Sequence, residues 1–232
     1  MPNSPMPSAI LWDMDGTLIN SEPLWAEATF YLSEKVGRRL TPTERLATVG
    51  ATFSDTLRIC ADIAGVELDP ADEPYYRALT FDYVKNLYTD NLEVFPGIVA
   101  LLEELKAQGM PMMVATNTER EVADPALEAL GMQYFVDTIC GDEVASGKPA
   151  PDMYVEAAAR LGVDPSRCLV FEDSTAGMTA ALDAGCRVIG LPEGEHVHVP
   201  RGAVTISTLH NSHHLDGADA AAISRWWEEI TR

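Results

Sequence analysis

The sequence predicts an α/β protein, with a parallel sheet interrupted once by an all-helical insert. Three observations carry this prediction. From Leu92 onward, short apolar runs and helical patterns alternate with short links. The runs are continuously apolar rather than alternating, so both faces of the sheet should be covered. Between about Ser21 and Tyr88 the rhythm stops, and helical patterns follow one another without a convincing strand.

The elements follow in order. The first strand is the apolar run Ala9-Ile10-Leu11-Trp12. The insert spans 21–88, between core segments 1–20 and 89–232. Its helices are read from "SEPLWAEATFYLSEKVG", with Leu24, Ala28, Tyr31 and Leu32 on one face, then "SDTLRICADIAG" and "DEPYYRALTFDYVKNLY". After the insert, "GIVALLEELKAQG" places Ile98, Leu101, Leu102 and Leu105 on one helical face, with Gly109 as its stop. A strand in "PMMVATNT" follows, then a helix around Ala126 to Leu130 and a strand in "YFVDTIC". "PDMYVEAAARLG" reads as a helix capped by Asp152 and stopped by Gly162. Strand "RCLVFEDS", helix "AGMTAALDAG" and strand "RVIGLP" complete the alternation. "AAISRWWEEI" is a closing helix that packs Trp226 or Trp227 on the core.

Composition narrows the function. The chain has 232 residues, 47% apolar, with 16 basic and 36 acidic side chains for a net charge of −20. Such a surface repels phosphate backbones and anionic membranes, so neither nucleic acid nor membrane is expected as a partner. A small anionic substrate is still possible where a local cation dominates a cleft. Cys60, Cys140, Cys168 and Cys186 form no CxxC pair and read as buried free thiols of a reducing compartment. The leader "MPNSPMPS" lacks the features of a signal peptide, so a cytoplasmic protein is expected.

Polar residues gather where strands end. The first strand ends in Asp13-Met14-Asp15-Gly16-Thr17, the second in Thr116 and Asn117, and the fourth in Glu172, Asp173 and Ser174. In an open parallel sheet these ends face one crevice. Lys148, in "SGKPAPD", joins them from a loop. Two carboxylates two residues apart repel, and desolvating them is costly, so a metal or a reaction must compensate. Asp13, Asp15 and Asp173 offer hard oxygen ligands suited to Mg²⁺, and Lys148 and Thr116 suit a phosphoryl group. A carboxylate can also act as nucleophile, while a second carboxyl donates a proton to the leaving oxygen.

These residues resemble the haloacid dehalogenase superfamily, in the branch with a helical cap after the first strand. That branch includes β-phosphoglucomutase-like and phosphoglycolate-phosphatase-like enzymes. The resemblance runs from about Ala9 to Leu191 and rests on DMDGT, the strand-ending Thr116, Lys148 in KPAPD, and FEDS, in that order. It implies a Rossmann-like core with an inserted cap, and an Mg²⁺-dependent phosphatase acting on a small phosphorylated metabolite. Asp13 would be the nucleophile, and Asp15 the general acid and then the base. Thr116 and Lys148 would hold the phosphoryl group, and Asn117 would assist. The metal would bind the Asp13 carboxylate, the Asp15 backbone carbonyl and Asp173. Glu172 would support Lys148 or the metal, and Gly16 would allow the turn out of the strand. A monomer is expected.

The departures favour hydrolysis over mutase chemistry. Trp25 stands where the mutases carry a histidine, "VGATFSDT" lacks their cap arginine, and Glu119 replaces a basic residue. Trp25, Gly50 and Thr52 are candidates to reach the substrate from the cap. Tyr75 and Tyr76 read as cap core. The histidines His196, His198, His210, His213 and His214 read as surface residues without metal-ligand spacing.

Overall fold

The computed structural model describes residues 6–48, 51–194 and 197–232. It divides into two compact units, one from residues up to 20 together with 93–232, the other from 21–92.

The first unit is built on β1 (Ala9–Trp12), β2 (Met112–Ala115), β3 (Asp137–Ile139), β4 (Cys168–Glu172), β5 (Arg187–Gly190) and β6 (Val204–Thr205). All pairings are parallel, in the order β3-β2-β1-β4-β5-β6. The order reverses at β1, so the crevice at its carboxyl end is the topological switch point. Register places Leu11 between Met113 and Val170. These residues share one buried face with Ala115, Ile139 and Val188, and pack against Met153, Tyr154, Ala157, Met178 and Ala181. Alternate residues Ile10, Trp12, Val114, Leu169 and Phe171 point to the opposite face and are also fully buried. There Trp12 and Phe171 stack with centroids 4.6 Å apart. Both faces are therefore covered, which is why the strands read as unbroken apolar runs.

In chain order the helices are α1 (Glu22–Val36), α2 (Pro42–Arg45), α3 (Phe53–Ala64), α4 (Glu73–Asn91), α5 (Ile98–Ala107), α6 (Arg120–Leu130), α7 (Asp152–Leu161), α8 (Thr175–Asp183), α9 (Ile206–Leu209) and α10 (Ala220–Ile230). The helices α1 to α4 form the second unit. Its core contains Leu32, Val36, Leu40, Leu57, Cys60 and Ala61. Tyr31 and Tyr83 stack between α1 and α4 at 4.1 Å. The chain leaves and re-enters the sheet unit along two adjacent segments: Asn20 N–H donates to the Glu93 carbonyl and Phe95 N–H to that of Leu18.

Several expectations are corrected. The boundary at 88/89 falls inside α4, which runs on to Asn91 because "TDN" continues the helix without any apolar signal. α6 begins at Arg120 rather than near Ala126. The Arg120 side chain anchors the first turn, binding Glu143 at 2.8 and 2.9 Å and Thr138 Oγ1 at 2.8 Å. Its amide also donates to Asp142 at 2.8 Å. The strand in "YFVDTIC" is only Asp137–Ile139, because Met132–Tyr134 forms a 3₁₀ turn. The edge strand β6, too short for a periodic signal, was not expected.

Tyr75 is 64% exposed in the first turn of α4, while Tyr76 packs on the helical core. His210 and His214 are half-buried, against Trp226 and Phe95, whereas His198 and His213 are exposed. His196 lies outside the described residues. All four cysteines are free and buried. Among the described residues no helix is long and apolar enough to cross a membrane.

Both Trp226 and Trp227 are buried on α10, and the Trp226 indole donates to the Leu209 carbonyl at 3.1 Å. Truncating a buried tryptophan costs about 3–5 kcal/mol. Trp226→Ala is therefore expected to lower the melting temperature by roughly 10 °C. A change of less than about 2 °C would contradict α10 as an integral part of this unit's core.

Candidate active site

Three strand ends, those of β1, β2 and β4, and one loop build the site. The ladder carries past β1, where Asp13 N–H donates to the Phe171 carbonyl at 3.1 Å. The chain then coils, with the Met14 carbonyl accepting from Thr17, Leu18 and Ile19. Gly16 makes this turn at φ +82°, and a Cβ there would lie 2.2 Å from Asp173 Oδ2. The glycine thus provides a left-handed turn and also the close approach of Asp173.

Lys148 is the hub. Its ammonium donates to Asp13 Oδ1 at 2.6 Å, Glu172 Oε1 at 2.6 Å and the Ala115 carbonyl at 2.8 Å. An ammonium has three N–H bonds, and these three acceptors use them all. Burial works against the Lys148 charge, but Asp13 and Glu172 outweigh it and hold the pKa above the ordinary lysine value. Glu172 is fully buried and fully partnered. Tyr154 Oη adds a bond to Oε1 at 2.8 Å, and Ser174 donates to Oε2 through its amide at 3.2 Å and its hydroxyl at 3.0 Å. Gly177 makes room for this carboxylate, since a Cβ there would lie 1.7 Å from Oε1.

Asp13 is left half-satisfied. Its Oδ2 is buried without a hydrogen-bond partner. Oxygens of Asp13, Glu172 and Asp173 lie within 4.8 Å of one another. Burial and the Glu172 charge push the Asp13 carboxyl up to about 7, against the pull of Lys148. Asp173 is raised too, by burial and by the charges of Asp13 and Glu172. An orphaned carboxylate oxygen beside a second destabilised carboxylate is the environment a hard dication relieves. The donor set therefore fits Mg²⁺, with Asp13 and Asp173 as the available carboxylates because Glu172 is already bound.

The Asp15 side chain lies apart from this cluster. Its Oδ2 accepts from Thr118 Oγ1 at 2.8 Å and from Thr116 Oγ1 at 3.2 Å. Its expected metal contact was through the backbone carbonyl, which this leaves open. Asn117 was expected to assist at the phosphate. Its side-chain amide engages the Lys148 backbone, accepting from N–H at 2.8 Å and donating to the carbonyl at 3.1 Å. Asn117 thereby fixes the loop that delivers Lys148.

In the helical unit, Thr52 caps α3, with its hydroxyl accepting from Asp55 N–H and donating to Asp55 Oδ2 at 2.9 Å. That capping role needs no substrate. Trp25 is half-buried in the second turn of α1, and its carbonyl accepts from Thr29. Gly50 lies outside the described residues. The sequence reading missed Thr118 and Tyr154, and named Ser174 at the end of β4 without a role. Of the two missed, only Thr118 left a signal, because positions two apart at an extended strand end face the same side.

A family model for haloacid dehalogenase-like hydrolases matches residues 7–185. The chain belongs to this family. It is accordingly an enzyme, a hydrolase. It is 31% identical over 185 residues to a phosphorylated carbohydrates phosphatase of Thermotoga maritima, a match covering 79% of the chain and 84% of that relative. It is 33% identical over 189 residues to the chloroplastic protein Suppressor of Quenching 1 of Arabidopsis thaliana. That match covers 79% of the chain but only 18% of the longer relative. The solved structure of CbbY from Rhodobacter sphaeroides in complex with phosphate superposes with a TM-score of 0.81 at 28% identity. It covers 94% of this chain and 99% of CbbY.

The raised Asp13 pKa has a consequence for stability. An acid whose folded pKa lies above its unfolded value weakens the fold as pH rises. The penalty begins near pH 4, grows up to about pH 7 and is complete above it. With metal chelated, Asp13→Asn is expected to raise the melting temperature by several degrees at pH 8 and by clearly less at pH 5. Equal shifts at both pH values, or a loss, would contradict an electrostatically strained Asp13.

Proposed function

We propose that the chain is an Mg²⁺-dependent phosphatase that hydrolyses a small phosphomonoester, a sugar phosphate or similar metabolite, through an aspartyl-phosphate on Asp13. The observation that carries this reading is the buried Lys148 bridge between Asp13 and Glu172 beside an unpartnered Asp13 oxygen. A purely structural ion pair would not leave one carboxylate oxygen buried and bare. The T. maritima relative named for phosphorylated carbohydrates and the phosphate complex of CbbY support the substrate class. The buried free thiols fit a cytoplasmic enzyme, and the reading includes a monomer.

Each residue has a task. Lys148 fixes one Asp13 oxygen and offsets its charge, which keeps the carboxylate available as a nucleophile. An Asp13 oxygen attacks phosphorus, and the bond from phosphorus to the substrate oxygen breaks. Asp15, protonated, gives its proton to that departing oxygen. Asp15, now a carboxylate, takes a proton from water as the water oxygen attacks phosphorus. The bond to Asp13 then breaks and inorganic phosphate leaves. The Thr116 hydroxyl turns from Asp15 to a phosphoryl oxygen. Asp13 and Asp173, with the Asp15 backbone carbonyl, would hold Mg²⁺, which would supply charge neutralisation for the phosphoryl group.

Hydrolysis is preferred to phosphosugar isomerisation because Trp25, the stretch "VGATFSDT" and Glu119 provide no basic group for a second phosphate. Phosphate release across a panel of sugar phosphates, glycerol phosphate, phosphoglycolate and nucleotides tests the proposal. Turnover is expected with Mg²⁺, and it should fall to background in EDTA and in Asp13→Asn. Lys148→Ala should lose about a hundredfold or more in kcat. Undiminished rates in chelator would remove the metal from the account, and an active Asp13→Asn would remove the nucleophile.

A further inference from the structure

The end of β2 reads Thr116-Asn117-Thr118, and both threonine hydroxyls converge on the same oxygen, Asp15 Oδ2. The two are not equivalent. The Thr118 bond is the shorter, at 2.8 Å against 3.2 Å. Thr116 Oγ1 also accepts from Thr118 N–H at 3.1 Å, so the hydroxyls are linked through the backbone. The Thr118 carbonyl accepts from Gly141 N–H at 3.1 Å, which ties the residue to the loop after β3.

A hydroxyl has one proton to donate. On the reading proposed above, Thr116 gives that proton to a phosphoryl oxygen when substrate binds. It then cannot also hold Asp15. Of the two threonine hydroxyls, only that of Thr118 remains on the acid while the leaving group departs. A flexible carboxylate that must meet a departing oxygen within hydrogen-bond reach depends on such a restraint.

We propose that Thr118 is the positioning residue for the general acid, holding the Asp15 carboxyl group in the loaded enzyme once Thr116 has turned to the phosphoryl group. This assignment rests on the phosphatase reading and extends it to a residue that touches neither the nucleophile nor the metal carboxylates.

Leaving-group dependence separates positioning of the acid from binding of phosphate. A nitrophenolate leaves readily without a proton, whereas an alkoxide needs one. The measurement is kcat/KM, which covers the steps up to departure of the leaving group. It is made for wild type, Asp15→Asn, Thr118→Val and Thr118→Ser, from nitrophenyl phosphate through phenyl phosphate to a simple alkyl phosphate. Circular dichroism and melting temperature confirm that each variant is folded. General acid catalysis contributes about 10²–10⁴, so loosening the acid in Thr118→Val is expected to cost roughly tenfold on the alkyl ester and less than about twofold on the nitrophenyl ester. Thr118→Ser, which keeps the donor, should stay close to wild type. Equal losses of Thr118→Val on every ester would make Thr118 a binding or structural residue and overturn the proposal. So would the absence of any loss. A wild type inactive on the whole series would overturn the phosphatase reading, and this assignment with it. An Asp15→Asn variant with the shallow wild-type dependence would overturn the role of Asp15 that Thr118 is assigned to serve.

Discussion

The buried ammonium of Lys148 is the interaction on which the rest of the site depends. It joins the ends of β1, β2 and β4 through Asp13, the Ala115 carbonyl and Glu172. Removing that ammonium would leave two buried carboxylates uncompensated, so the cluster stands or falls with it. The surrounding residues fall into place as supports. Asn117 grips the Lys148 backbone, Tyr154 and Ser174 complete the hydrogen bonding of Glu172, and Gly177 admits that carboxylate.

The cluster is satisfied everywhere except at one oxygen of Asp13. Burial and like charge make that carboxylate costly to ionise, yet the proposed chemistry requires it ionised. Folding energy from the two covered faces of the sheet is what holds the strained group in place. A dication is the species that would relieve it, and the comparisons place the chain among hydrolases in which one structural relative was solved with phosphate.

Much of this was legible in the sequence because parallel strands deliver their carboxyl ends to one crevice. Asp13, Thr116, Glu172 and Asp173 could be read from where apolar runs stop, and Lys148 from its "KPAPD" context. The roles of Asn117 and Thr118 could not, because each depends on which tertiary neighbour takes its hydrogen bonds. Asn117 was expected at the phosphate, and only the fold shows its side chain on the Lys148 backbone. Tyr154 looked like one apolar residue of a helix face, and only the fold places its hydroxyl on Glu172. Gly16 was legible as a turn, but not as the gap that admits Asp173. The start of α6 was hidden because Arg120 secures it through the tertiary neighbours Glu143 and Thr138.

The central claim is that phosphate passes through a covalent bond to Asp13. Rapid mixing with nitrophenyl phosphate and Mg²⁺, followed by acid quench and peptide mass analysis, tests it most directly. The account predicts a transient phosphorylated peptide containing Asp13, formed as nitrophenolate appears and decaying as inorganic phosphate is released. Turnover in which leaving group and phosphate appear together from the first milliseconds, with no phosphoryl group on Asp13 at any time and with catalysis persisting in Asp13→Asn, would contradict it.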